Sequence, residues 1–272
     1  MRPSNLSLRW GMTLLASAAY AAPTQQPDPP SLDPRAADFN ALVGGNVSLR
    51  IMPLGASITH GQASSDGNGY RAALRDLLVA DGNAVDMVGS HPNGTMRDNE
   101  NEGWPGFRID EVLEKARVSV PATLPNLVLV NAGTNDCVQA RDPDRAGARM
   151  LGMLDLVWAA SGRATVALST LLPHGNDTTE ACVLGVNGQL RALVAEQQAL
   201  SRKIVLADMH AGDGRGPLRS DLVDGVHPSD AGYVKMANVW FASIKDAASR
   251  GWLESPQPLP VPELCEATRR SR

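Results

Sequence analysis

The sequence predicts a doubly wound α/β fold on a mostly parallel sheet of five strands. Three observations carry that prediction. From about residue 48 onward, short apolar runs alternate with amphipathic stretches, the pattern of successive βαβ units with right-handed crossovers. The run NLVLVNAG (126–133) is apolar almost without interruption, as strands covered on both faces of a parallel sheet are. Small polar clusters lie at the ends of the strand candidates or in a loop beyond one, where open α/β sheets bind their ligands.

Taken in order, VSLRIMPL (47–54) reads as the first strand. Tyr70, Ala73, Leu74, Leu77 and Leu78 then fall at helical spacing, and Asp81-Gly82 ends that helix. AVDMVGS (84–90) is the second strand, followed by a polar Asn- and Gly-rich loop and a short helix from about Ile109. After the third strand at 126–133, Asp142-Pro143 opens a helix with the cap-then-proline arrangement, and its inner stripe is Ala146, Met150, Met153, Leu154 and Val157. ATVALSTLLP (164–173) is the fourth strand, 185–200 a helix, and KIVLADM (203–209) the fifth strand. The last helix, about 229–248, places Ala237, Trp240, Phe241, Ile244 and Ala248 on one face.

The flanks read differently. Arg2 and Arg9 precede the apolar stretch GMTLLASAAYA, and Ala19-Tyr20-Ala21 fits a small-x-small cleavage site, so residues 1–21 are expected to be a secretory signal. The stretch is too short to span a membrane, which takes about 20 apolar residues. Residues 22–45 read as a linker, with five prolines by residue 38. The folded domain is expected over 46–250, and residues 251–272, with four prolines and an Arg-Arg-Ser-Arg end, as a poorly ordered tail. Sequons at Asn46, Asn93 and Asn176 agree with export and are candidate glycosylation sites. The chain has 272 residues and a net charge of −4, which gives no basic footprint for nucleic acid or an anionic membrane. A monomer is the expected state.

Each polar cluster suits a part in acyl transfer. A serine hydroxyl is a weak nucleophile and needs a neighbouring base. Ser57 lies in GASITHG after the first strand; Asp224 and His227 lie three apart in DGVHP after the last. One turn lets the Asp224 carboxylate bond one imidazole nitrogen and leaves the other to face Ser57. Asn135, in GTND after the third strand, offers an amide N–H. The glycines of EGWPG (102–106) allow a close backbone N–H, with Gly103 and Gly106 as alternatives. With the Ser57 amide, such donors would stabilise a developing oxyanion. Taken singly, each residue has a plainer role: Ser57 in a turn, Asn135 and Asp136 as helix caps, His227 before Pro228 as a boundary residue.

In this order and spacing the four clusters resemble the conserved blocks of the SGNH hydrolases, the GDSL-type esterase superfamily, over residues 50–245. GASIT matches the nucleophile block at Ser57, WPG the glycine block at Gly106, GTND the asparagine block at Asn135, and DGVHP the DxxH block at Asp224 and His227. Ala56 departs from the pattern, which has aspartate there. IMPLGASIT, VDMVGS and EGWPG further resemble carbohydrate esterase family three, which includes acetylxylan esterases. The resemblance implies a three-layer α/β/α flavodoxin-like sandwich, a catalytic triad of Ser57, His227 and Asp224, an oxyanion hole from Ser57, Gly106 and Asn135, and no cofactor. It implies an acetylated plant-wall polysaccharide as substrate. The rivals are another ester on the same fold, or a non-catalytic carbohydrate-binding protein.

Other residues stay open at this point. Trp104 suits either a sugar-stacking platform or ordinary packing, and His174 and His210 follow strands where they could touch substrate. Asp208, His210 and Asp213 form no recognised ligand pattern, so no metal is expected. Cys137 and Cys182 follow the third and fourth strands, which should be neighbours. A disulfide between those two loops is favoured among the three pairings that Cys265 allows.

Overall fold

A computed structural model describes residues 43–259. The signal segment, most of the linker, Cys265 and the basic end lie outside them. Strand β1 (Leu49–Ala56) is the centre of the sheet. Its start pairs in parallel with β2 (Val85–Met87), from Leu49↔Val85 to Ile51↔Met87. On its other edge follow β5 (Leu127–Asn131), β6 (Thr165–Ser169) and β7 (Ile204–Ala207), all parallel. The order β2-β1-β5-β6-β7 is the flavodoxin-like one, with its switch point beside β1.

Two strands exceed the expected five. EGWPG, expected in a loop, begins in β4 (Glu100–Trp104), which pairs with the end of β1 from Leu54↔Glu102 to Ala56↔Trp104. The physical reason is length: β2 covers only the first residues of β1, and an unpaired edge at its end would leave buried backbone groups without partners. A two-residue strand, β3 (His91–Pro92), runs antiparallel to β4.

The helices α2 (Arg71–Ala80), α3 (Ile109–Thr123), α5 (Ala146–Ala160), α6 (Asp177–Ala199) and α7 (Asp230–Ser249) form two outer layers. Alternation along β5 divides the core. Val128 and Val130 pack with Val112, Met150, Leu154 and Leu190 of α3, α5 and α6. Leu127 and Leu129 pack with Leu74, Leu78, Met236 and Trp240 of α2 and α7.

Several boundaries differ from expectation. α6 starts at Asp177 rather than 185, because Asn176 Oδ1 accepts from Thr179 N at 3.0 Å and Asp177 and Glu180 favour the positive end of the helix. Asp142-Pro143 opens a 3₁₀ turn, Pro143–Arg145, before α5. The domain begins by Val43, which is buried and whose carbonyl accepts from Asn83 Nδ2 at 2.9 Å. The expected tail is corrected over 251–259. Leu253 is buried, Trp252 O accepts from Thr165 Oγ1 at 2.7 Å, and Gln257 O accepts from Arg50 Nη1 at 2.9 Å.

Candidate active site

Ser57 stands at a strand-to-helix turn. Beyond Ala56 the chain enters α1 (Ser57–His60), a single turn closed by Gly61, with φ of 97°. Two glycines permit that geometry. A Cβ on Gly55 would lie 2.2 Å from Asn131 O in β5, and one on Gly103 would lie 2.3 Å from His60 N. The Ser57 carbonyl accepts from Gly61 N at 3.1 Å and Gln62 N at 3.0 Å. Ala56 is buried and gives α1 no side-chain cap, so these amides hold the turn.

His227 reaches Ser57 from the loop before α7. An isolated bridge between Leu222 and Pro228 and a bond from Val223 N to His227 O at 2.8 Å fold that loop. Asp224 Oδ1 accepts from His227 N at 2.8 Å and from Val226 N at 3.0 Å. Asp224 Oδ2 lies 2.7 Å from His227 Nδ1, and His227 Nε2 lies 2.8 Å from Ser57 Oγ. Partial burial pushes the Asp224 carboxyl up, but the imidazole and the two amides outweigh it and hold the pKa at about 2. An ionised carboxylate only accepts, so His227 carries its proton on Nδ1 and turns the Nε2 lone pair toward the Ser57 hydroxyl. Because the folded value is depressed, this pairing stabilises the fold above the ordinary 3.8 and is lost as pH falls through about 2.

The glycine block forms a tight turn just past β4. Phe107 N donates to Trp104 O at 3.1 Å, with Pro105 second and Gly106 third at φ 82°, the type II arrangement that requires glycine. Gly106 is exposed there. The alternative, Gly103, is buried in β4 and its amide is committed to Asn101 Oδ1 at 2.9 Å. Asn135 sits in α4 (Thr134–Val138), past the end of β5, and one amide hydrogen bonds Phe107 O at 2.9 Å. β4 and β5 flank β1 at Ala56↔Trp104 and Gly55↔Asn131, so Ser57, Gly106 and Asn135 emerge from neighbouring strands on one rim.

Cys137 and Cys182 form a disulfide, but both lie in helices, α4 and α6, rather than in loops. His174 is buried: its Nδ1 accepts from Asn176 N at 3.0 Å and its own amide donates to Glu180 Oε2 at 2.6 Å. His210 Nε2 lies 3.3 Å from Glu180 Oε1, and Asn187 Nδ2 donates to its Nδ1 at 3.2 Å. His174 is thus held from within the rim, and His210, half-buried, is tied to Glu180 and Asn187. Trp104 Nε1 donates to Glu102 at 2.8 Å, and Lys115 Nζ stands 3.9 Å over its ring. Phe107 also stacks on the ring, which is half-buried. Asp208 is paired with Arg191 at 2.8 Å and bonded by Thr170.

Asn46 and Asn176 are exposed, but Asn93 is tied down. Its Nδ2 donates to His60 O at 2.7 Å and Gly67 O at 2.8 Å, so a glycan on that nitrogen would remove a donor. These two bonds speak against the expected glycan at Asn93.

Comparisons with known proteins assign the family. The family model described as the GDSL-like Lipase/Acylhydrolase family matches residues 54–235. The chain belongs to the GDSL-like lipase/acylhydrolase family. It is 28% identical over 251 residues to a multidomain esterase of Ruminococcus flavefaciens, covering 79% of this chain and 30% of that protein. A Clostridium thermocellum family 3 carbohydrate esterase shares its fold at TM-score 0.66 and 22% identity, over 75% of this chain and 98% of that one. A Talaromyces cellulolyticus family 3 carbohydrate esterase does so at TM-score 0.62 and 23% identity, over 74% and 99%.

One support of this GDSL-like site gave no signal in the sequence. Gly175 N donates to Gly225 O at 2.7 Å, inside the turn between Asp224 and His227. A Cβ on Gly175 would lie 2.7 Å from Gly225 Cα, so the two backbones meet only because residue 175 is glycine. Gly175→Ala is expected to push the loop outward and lower kcat by roughly 10–100-fold, since about 1 Å of misplacement costs that much. Steady-state kinetics beside a thermal melt would check it; unchanged kcat would show that the contact is incidental.

Proposed function

We propose that the chain is a secreted, cofactor-free serine esterase that removes short acyl groups, acetyl above all, from plant-wall polysaccharide such as acetylated xylan. One observation carries the catalytic part: the Ser57 hydroxyl, the His227 imidazole and the Asp224 carboxylate stand in a relay with spacings of 2.8 and 2.7 Å. His227 Nε2 takes the Ser57 proton as Oγ attacks the ester carbonyl, and Asp224 stabilises the imidazolium that forms. The amides of Ser57 and Gly106 and the free hydrogen of the Asn135 side chain hold the oxyanion. Collapse expels the alcohol, protonated by His227. The imidazole then activates water, which releases the acid and restores the Ser57 hydroxyl.

The relatives support a carbohydrate ester as substrate, since they include a multidomain esterase and two family 3 carbohydrate esterases. The Cys137–Cys182 disulfide supports export, since such bonds persist in oxidising compartments. Among the described residues no helix is long and apolar enough to cross a membrane.

An ester panel tests the substrate. Acetylated xylan, other acetylated glycans and p-nitrophenyl esters of increasing chain length are offered to the wild-type protein, and released acid is measured. The expected result is acetate release from xylan and a fall in kcat/KM beyond short acyl chains. Preference for long-chain esters, with no release from any glycan, would replace this substrate with a lipid.

A further inference from the structure

The segment from Gly106 to Ile109 is held by one short helix at three points. Asn135 Nδ2 donates to Phe107 O at 2.9 Å, and the buried Asp136 carboxylate accepts from Ile109 N at 3.1 Å. One turn further, Gln139 at the end of α4 donates from Nε2 to Gly106 O at 2.9 Å. The helix is itself anchored: Cys137 is bonded to Cys182 of α6, and Asp136 is paired with Arg149 of α5.

From this we infer that Gln139 is a positioning residue for the oxyanion donor at Gly106, an inference that rests on the esterase reading above. The reason lies in the turn. Gly106 sits at φ 82°, with nothing within 4 Å of where a Cβ would stand. A glycine in open space meets no steric barrier on either side, so packing does not fix its peptide planes. The Trp104–Phe107 bond closes the turn, and Gln139 is the side chain that grips the Gly106 carbonyl. Gln139 and Asn135 lie four residues apart, so they project from the same side of the helix. One of them bonds the turn's exit peptide and the other the peptide that follows. Together they set the Gly106 amide against Ser57 through a helix fastened to two others. Gln139 reaches no reacting atom; its effect is carried through Gly106.

Such an arrangement matters more to the tetrahedral state than to bound ester, because the oxyanion needs its donors at hydrogen-bond distance in the transition state. Loss of the Gln139 donor should therefore appear in kcat and leave KM nearly unchanged.

The test uses the full chain and p-nitrophenyl acetate, with Gln139→Met, which keeps length without a donor, Gln139→Glu, whose carboxylate cannot donate, and Gln139→Lys, which restores one. Gln139→Met is expected to lower kcat by roughly 3–10-fold, the worth of one ordinary hydrogen bond, with KM within about twofold. Gln139→Glu should fall at least as far, and Gln139→Lys should recover at least half of the wild-type kcat. Melts within about 2 °C of wild type would confirm intact folding. Full kcat in Gln139→Met, or a change confined to KM, would overturn the inference while leaving the esterase reading intact. Wild-type protein that fails to hydrolyse the ester at all would instead overturn that reading, and this inference with it.

Discussion

Ser57→Ala is expected to abolish hydrolysis of p-nitrophenyl acetate, lowering kcat by roughly 10⁶-fold, the scale on which serine hydrolases respond to loss of the nucleophile. Without Oγ there is no acyl-enzyme, and His227 Nε2 loses the hydroxyl it faces at 2.8 Å. The oxyanion donors remain and continue to bind ester, so residual turnover above water alone is expected. The fold should survive. Ser57 Oγ has its bond at the protein's rim, and α1 is held by the Ser57 carbonyl rather than by its side chain. A melt superimposing on wild type would separate lost chemistry from lost structure. Retained turnover would transfer the nucleophile's role to another group.

The largest effect on stability is expected at Arg71. Its side chain is fully buried and meets backbone carbonyls. Nη1 donates to Asn99 O at 2.9 Å, and Nη2 faces His60, Gly67 and Asn93 carbonyls at 2.9–3.0 Å. Burial alone lowers the guanidinium's pKa, a measure of how costly this placement is without those acceptors. Arg71→Met keeps much of the volume but removes four bonds: Asn93 O is stranded, while His60 O and Gly67 O keep the Asn93 amide and Asn99 O keeps Asn93 N. At about 1–3 kcal/mol for the stranded group and about 1 kcal/mol for each of the other three lost bonds, a loss of roughly 4–6 kcal/mol is expected. In a domain of this size that lowers Tm by about 8–20 °C. It should also loosen α1, because His60 is one of the four partners. Thermal denaturation by circular dichroism reads both the shift and any loss of cooperativity; a Tm within about 3 °C of wild type would show that water or neighbouring amides replace the guanidinium.

Arg71 also shows where the sequence is hard to read. It falls on the stripe of Leu74 and Leu78, yet a charged residue at the start of a helix is ordinarily solvated. Only the meeting of two distant loops, 60–67 and 93–99, gives it partners. The strands and the main helices were legible because period and run length are local properties, and β1, β5 and the face of α7 lie where the pattern places them. β4 was not, since Asn, Glu and Gly dominate it and its pairing is dictated by the unfilled end of β1.

Ser57, His227, Asp224, Gly106 and Asn135 were legible for a different reason: short motifs carry side chains whose chemistry needs few alternatives. The supports around them were not. Asn93 matches a sequon but spends its amide on two carbonyls, His174 Nδ1 accepts from Asn176 N, and His210 Nε2 stands beside Glu180. Gly175 looks like any loop glycine until Gly225 is brought against it. Such roles depend on contacts between segments, which motif and period leave unspecified.

The central claim is that His227 and Asp224 make Ser57 the reactive nucleophile of this chain. A fluorophosphonate probe reads it directly. Wild-type protein treated with the probe should gain one adduct by intact mass spectrometry, mapped after digestion to the peptide holding LGASITHG, and Ser57→Ala should gain none. An unlabelled wild-type protein, or an adduct on another residue, would contradict the claim.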